Sequence, residues 1–266
     1  MTNLKGIDVS SHNGRIDWEK AKPHIDFAII RAGFGNKNED TCFARNMSEC
    51  NRLKIPAGAY WFSYAYTEEM ALNEAKYFCS LLSQYQVQYP VAYDFEYDSV
   101  TFASKHGVVI STDLMNKMAT VFLEYVAKSG YQPMIYSNID FLNRGFSELT
   151  GKFDLWLAQW KVSKPSKACS IWQYSDTAKI DGVPGTPDVN ISYVDYADKV
   201  QTKINDNLRT IIASRLPEKW WNDYFSVARD VINGKYGNGA TRKVKLKEGG
   251  FDPTFVQVIV NYLLGQ

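Results

Sequence analysis

Eight short runs rich in apolar, β-branched and aromatic residues punctuate the first 192 positions of this 266-residue chain, at 4–9, 27–32, 57–64, 91–96, 133–137, 155–160, 171–174 and 188–192. Several are apolar almost throughout, as strands buried on both faces of a parallel sheet are. Longer segments separate the early runs, and two carry clear helical stripes. After Thr67 the apolar positions are Ala71, Ala75, Phe78 and Leu82. After Ser111 or Thr112, either a suitable N-cap, they are Leu114, Met118, Val121 and Tyr125, with Gly130 placed to end the helix. Strand–helix–strand repetition implies right-handed crossovers, and eight such strands predict a closed barrel. Only about ten residues lie between runs six and seven and between seven and eight, too few for an ordinary crossover helix. The expected fold is therefore α/β: an irregular (β/α) barrel with eight strands and few helices in its second half.

A boundary is expected after residue 197, with a polar linker at 198–225 and a small three-helix module at 226–266. Its helices read as 226–233, closed by Gly234, then 240–248, stopped by Gly249-Gly250, and a third opened by Asp252-Pro253. Val256, Ile259, Val260 and Leu263 give the third an apolar face. Residues 198–266 carry 11 Lys/Arg against 7 Asp/Glu, whereas the rest of the chain is net acidic. A basic tail on an acidic body suits contact with an anionic surface, or a plain solvated face.

Cys42, Cys50, Cys79 and Cys169 show no metal-ligand spacing and require no disulfide; His12, His24 and His106 also lack such spacing. No metal and no cofactor is expected. The net charge of +1 gives no reason to expect nucleic acid. No stretch is long and apolar enough for membrane insertion, and the N-terminus has no signal-peptide apolar core. Synthesis in a cytoplasm is expected, with action on any external substrate only after release.

The chemistry points to Tyr93-Asp94-Phe95-Glu96 at the end of the fourth run. Residues two apart in a strand face the same side, so Asp94 and Glu96 project together at the barrel end where active sites form. Two neighbouring carboxyls raise each other's pKa, which yields the protonated acid and ionised partner of glycoside hydrolysis. Asp8 ends the first run and Asp188 begins the last, with Asn190 two residues on. Each alone also suits a turn or a helix cap; together they converge only in a barrel. Tyr60 and Phe62 share a strand face, and Tyr60 and Tyr136 are expected at the site. The roles of Trp156, Trp160 and Trp172 stay open, and Arg31, at the end of the second run, suits a structural ion pair or a pairing with an active-site acid.

Nine segments carry a resemblance to a known family: Gly6-Ile7-Asp8-Val9-Ser10, Gly14-Arg15-Ile16-Asp17-Trp18, Ile30-Arg31-Ala32-Gly33, Gly58-Ala59-Tyr60-Trp61-Phe62, Tyr93-Asp94-Phe95-Glu96, Ile135-Tyr136-Ser137-Asn138, Leu155-Trp156-Leu157-Ala158-Gln159-Trp160, Ile171-Trp172-Gln173-Tyr174 and Asp188-Val189-Asn190. In this order they resemble the glycoside hydrolase family 25 (Chalaropsis-type) lysozymes common in phage lysins. The resemblance implies N-acetylmuramidase activity on bacterial peptidoglycan. It implies Glu96 as general acid, Asp94 as partner carboxylate, and Asp8 and Asp188 completing an acidic floor. Asp94 could serve as nucleophile, base or stabiliser of an intermediate formed by the substrate's own N-acetyl group. Tyr60, Phe62, Tyr136, Gln159 and Asn190 are the expected substrate contacts.

The segment 227–239, with Arg242-Lys243 and the closing helix, resembles the three-helix cell-wall-binding repeats of some phage lysozymes. Arg229, Lys235, Tyr236, Asn238, Gly239 and Arg242 are the candidate wall contacts. One copy is visible where such repeats usually occur in tandem, so a homodimer through this module is an expectation, and a stability or dimer module is the other reading. The competing function is a non-catalytic glycan-binding protein on a lysozyme scaffold, for which an expensive carboxylate cluster has no use.

Overall fold

The computed structural model describes residues 3–199 and 220–264, and the side chains of all of these except positions 221 and 222. Most of the expected 198–225 linker thus lies outside the described residues. Contacts divide the chain into two compact units, Met1–Tyr196 and Ala197–Gln266.

In the first unit the strands are β1 (Leu4–Val9), β2 (Phe27–Phe34), β3 (Asn38–Glu39), β4 (Ala57–Phe62), β5 (Val91–Asp94), β6 (Pro133–Asn138), β7 (Asp154–Ala158), β8 (Ile171–Ser175) and β9 (Asp188–Ser192). The order β1-β2-β4-β5-β6-β7-β8-β9, with β9 returning to β1, closes an eight-stranded barrel. The additional β3 pairs only with β2, in a two-residue ladder that the sequence pattern did not mark. Gly33 allows this hairpin: a Cβ there would run into the Asn38 carbonyl and the Trp61 ring.

Neighbours from β1 through β8 run parallel, but β9 is antiparallel to both β8 and β1. The connection from Ser175 to Asp188 holds no helix and turns back, whereas the equally short connection from Ala158 to Ile171 leads into a parallel strand. As expected, no helix lies between Ala158 and Asp188.

Helices cover the first half: α1 (Trp18–Ala21), α2 (Phe43–Leu53), α3 (Glu68–Leu82), α4 (Tyr97–Lys105), α5 (Thr112–Lys128) and α6 (Ile139–Arg144). Thr67 caps α3 by accepting from Met70 N–H, and Ser111 caps α5 by accepting from Leu114 N–H. Strand alternation sorts the barrel's two sides. Trp61 and Tyr93 point outward, where they stack against Phe78 of α3 and Phe122 of α5. Tyr60, Asp94, Tyr136 and Trp156 take the opposite, inward alternation.

The second unit holds α7 (Trp221–Ile232), α8 (Gly239–Glu248) and α9 (Pro253–Leu264) around a core that includes Ala228, Val231, Leu246, Val256 and Ile259. Helix α7 begins five residues before the expected 226. Asp252 opens α9 by accepting from Thr254 and Phe255 N–H.

Candidate active site

The inward residues of the barrel stack at the end where the parallel strands finish. Strand β5 stops at Asp94, two residues before the expected end. Phe95 is buried, and Glu96 keeps an extended backbone as the N-cap of α4, with its N–H donating to Ser99 Oγ at 3.1 Å. The extended step preserves the same-side relationship. The two carboxyls perturb each other, and one proton on the pair is favoured over two charges side by side.

Asp94 is buried. Burial holds its carboxyl well above the ordinary carboxylate range; Glu96 and Asp8 push it higher, and Arg31 opposes them. Burial also raises the half-buried Glu96, against the lowering effect of its hydrogen bond with Asp94. The pair therefore keeps one proton to a pH at which isolated carboxyls are ionised.

Asp8 and Asp188 are direct partners across the β1–β9 ladder. Reversal of β9 brings the start of that strand to the end at which β1 finishes. Asp8 accepts from Asn190 Nδ2 at 2.7 Å and from Gln173 Nε2 at 3.0 Å, and Gln173 also reaches Asp188 at 3.4 Å. Burial pushes Asp8 up to about 6 despite those donors. Burial, then the charge of Asp8, pushes Asp188 up to about 7.

Tyr136 stands over all four acids. Burial and the charges of Glu96, Asp94, Asp8 and Asp188 each make its hydroxyl harder to ionise. That hydroxyl donates to Gln173 Oε1 at 3.1 Å. Beneath it Trp156, fully buried, packs edge-on to Tyr60 and Tyr136 and donates Nε1–H to Asn190 Oδ1 at 2.7 Å. The open question about the tryptophans thus resolves for Trp156 as floor. Trp160 is exposed beyond the end of β7, and Trp172 donates to the Gln159 carbonyl. Gln173 was missed among the candidate residues; only its period-two relation to Ile171 on an inward strand face could have found it.

The remaining expected residues divide. Phe62 pairs in register with Asp94 and lines a cavity of about 730 Å³ with Arg31, Tyr64 and Asp98. Gln159 Oε1 accepts from Ser166 N–H at 2.8 Å. Arg31 binds the buried Asp40 at 2.8 Å and Ser11 Oγ at 3.1 Å, an ion pair in the cavity wall. In the second unit, Gly239 and Arg242 line a cavity of about 1030 Å³ with Lys243, Lys247 and Asp252. Arg242 is held by the Gly237 carbonyl and Asn238 Oδ1, both at 3.0 Å. Arg229 is exposed, Lys235 pairs with Asp230, and Tyr236 packs against the three-helix core.

Residues 7–183 match the sequence profile of the glycosyl hydrolases family 25. The chain belongs to that family. Residues 226–264 of this family 25 chain also match the CW_7 repeat. An uncharacterized protein of Escherichia coli O157:H7, YegX, is 28% identical over 198 residues, spanning 71% of this chain and 69% of its own. The lysozyme of Streptococcus phage Cp-7 is 27% identical over 263 residues, spanning 96% of this chain and 68% of its own. Among solved structures, the modular autolysin LytC from Streptococcus pneumoniae superposes with a TM-score of 0.63 at 30% identity. That match covers 72% of the family 25 chain but 47% of the autolysin, so this chain spans about half of that protein's length.

Proposed function

We propose that this family 25 chain is an N-acetylmuramidase of phage-endolysin type, which hydrolyses the β-1,4 bond between N-acetylmuramic acid and N-acetylglucosamine in bacterial peptidoglycan. The observation that carries this reading is the Asp94–Glu96 pair at the C-terminal end of β5, each carboxyl raised by burial and perturbed by the other, backed by Asp8 and Asp188. The family membership and the phage lysozyme's likeness along 96% of the chain support the same substrate.

Glu96 is the general acid. In the open groove the shared proton rests mainly on the deeper Asp94. A sugar covering Glu96 strips water from its ionised form and draws the proton to it. Glu96 then protonates the glycosidic oxygen as the bond to the anomeric carbon breaks. Positive charge develops on the sugar ring, and Asp94, now ionised, stabilises it. The substrate's own N-acetyl oxygen attacks the anomeric carbon, Asp94 stabilises the cyclic intermediate, and a water that gives its proton to Glu96 opens it. Asp8 and Asp188 keep the floor negative, and Tyr60, Phe62, Tyr136 and Asn190 shape the sugar site.

The three-helix unit is proposed to hold the enzyme to the wall through the cavity bearing Gly239 and Arg242, with Arg229, Lys235, Tyr236 and Asn238 as further candidate contacts. Pairing of two modules and release from a host cytoplasm belong to the same proposal. Clearing of purified walls tests the catalytic part. Glu96→Gln should abolish clearing while wall binding persists; clearing retained in both Glu96→Gln and Asp94→Asn removes the assignment.

A further inference from the structure

Glu74 is the one buried carboxylate of the barrel unit that neither the reaction nor the Arg31 ion pair uses; it is 4% exposed on α3. Its two oxygens are divided between consecutive residues just beyond β4. Ser63 Oγ–H donates to Oε2 at 2.6 Å, and Tyr64 N–H donates to Oε1 at 3.1 Å. Ser63 is itself fully buried, and its own N–H donates to the Asp94 carbonyl at 2.7 Å. Its Oγ accepts in turn from Ala65 N–H at 3.2 Å, so the hydroxyl is fixed from both sides. Tyr64 lines a cavity with Asp98 and with Phe62, the register partner of Asp94.

We propose that Glu74 is a positioning residue for the glycosidase reaction: through Ser63 it fixes the backbone at Asp94, and through Tyr64 it fixes one wall of the sugar groove. The inference rests on Asp94 belonging to the reacting pair. A helix carboxylate reaching two adjacent donors sets the exit of β4 relative to the end of β5, and these two strands carry the groove wall and the acid. Burial raises the Glu74 carboxyl to about 7 against both hydrogen bonds, so the fold keeps this group where its charge is disfavoured. A short apolar side chain would fill the space without that cost, but would leave Ser63 Oγ–H and Tyr64 N–H without acceptors.

The two arms separate in kinetics. Ser63→Ala deletes one hydroxyl and leaves Tyr64 N–H bonded to Glu74. It should lower kcat on soluble glycan by about tenfold with KM within about twofold, the signature of an interaction needed in the transition state. Glu74→Ala removes both arms and should lower kcat and raise KM together. Glu74→Gln retains an acceptor for Tyr64 N–H, and its amide can donate to a rotated Ser63 hydroxyl, so kcat should stay within about threefold of the parent. If Glu74→Ala fails to fold, Ser63→Ala still decides. Folded Ser63→Ala with kcat and KM both within about twofold overturns the proposal. So does Glu74→Gln as impaired as Glu74→Ala, because charge rather than geometry would then matter.

A second readout does not need turnover. In carboxyl-carbon NMR the Asp94 titration midpoint, assigned by its loss in Asp94→Asn, should move by about half a pH unit or more in Ser63→Ala, while exposed Asp140 stays put. An unmoved Asp94 midpoint contradicts the positioning role. A parent protein inactive on glycan would overturn the muramidase reading and leave this spectroscopic test standing.

Discussion

Asp8 and Asp188 face each other across the antiparallel β1–β9 ladder, bridged by the Gln173 amide at 3.0 and 3.4 Å. Two acids that are 180 positions apart reach one end of the barrel because β9 runs backwards. If they keep the groove floor negative, Asp188→Asn should lower kcat on glycan by about tenfold or more, as loss of electrostatic transition-state support does. KM should change less. Unchanged kcat in a folded Asp188→Asn protein would remove Asp188 from the site.

Stability should fall as pH rises. Asp8, Glu74 and Asp188 are held above their ordinary values, up to about 6, 7 and 7, so the folded state binds more protons than the unfolded chain between about pH 4 and 7. Their stabilising contribution is full below the unfolded values and is lost as pH rises through the folded ones. For the buried Asp8 alone the effect is on the order of 3 kcal/mol. Thermal melts should give a higher midpoint near pH 5 than near pH 8, and Glu74→Gln should flatten that slope. A midpoint that climbs from pH 5 to 8 contradicts these shifts.

Much of this was legible in the sequence for identifiable reasons. Parallel strands buried on both faces print as apolar runs, and the Thr67 and Ser111 caps mark α3 and α5 because a side-chain oxygen is needed there. The period-two relation of Asp94 and Glu96 survived the early end of β5, since an extended residue alternates whether or not it is paired. Strand direction was not legible. Nothing in Asp188-Val189-Asn190 records whether its neighbours run with it or against it, and connection length does not decide, since equally short connections precede parallel β8 and antiparallel β9. Gln173 and Glu74 stayed hidden because a polar residue's worth depends on partners far along the chain, here Asp8, Tyr136, Ser63 and Tyr64.

Asn190 should matter for folding as well as for the site. It is fully buried, accepting from Trp156 Nε1 and donating to Asp8. Asn190→Ala leaves a buried indole N–H without its acceptor and a buried carboxylate short of a donor. Chemical denaturation should show a loss of about 2–4 kcal/mol. A loss below about 0.5 kcal/mol would mean that the network is not what holds these strands together.

The three-helix unit should govern wall binding without touching the chemistry. Its residues form a separate contact unit from the barrel, which ends at Tyr196. Deletion of residues 226–266 should leave cleavage of soluble glycan within about twofold and reduce sedimentation with walls by about tenfold or more, the loss expected when one of two linked contacts is removed. Undiminished sedimentation would refute the anchoring role. Loss of soluble-glycan cleavage would show that the barrel depends on the module.

Mass spectrometry of borohydride-reduced fragments from digested peptidoglycan tests the central claim most directly, because reduction marks the sugar at each newly made end. Muramitol at those ends, absent from a Glu96→Gln digest, is the expected result. Glucosaminitol in its place, or no new reducing ends at all, would contradict muramidase action by the Asp94–Glu96 pair.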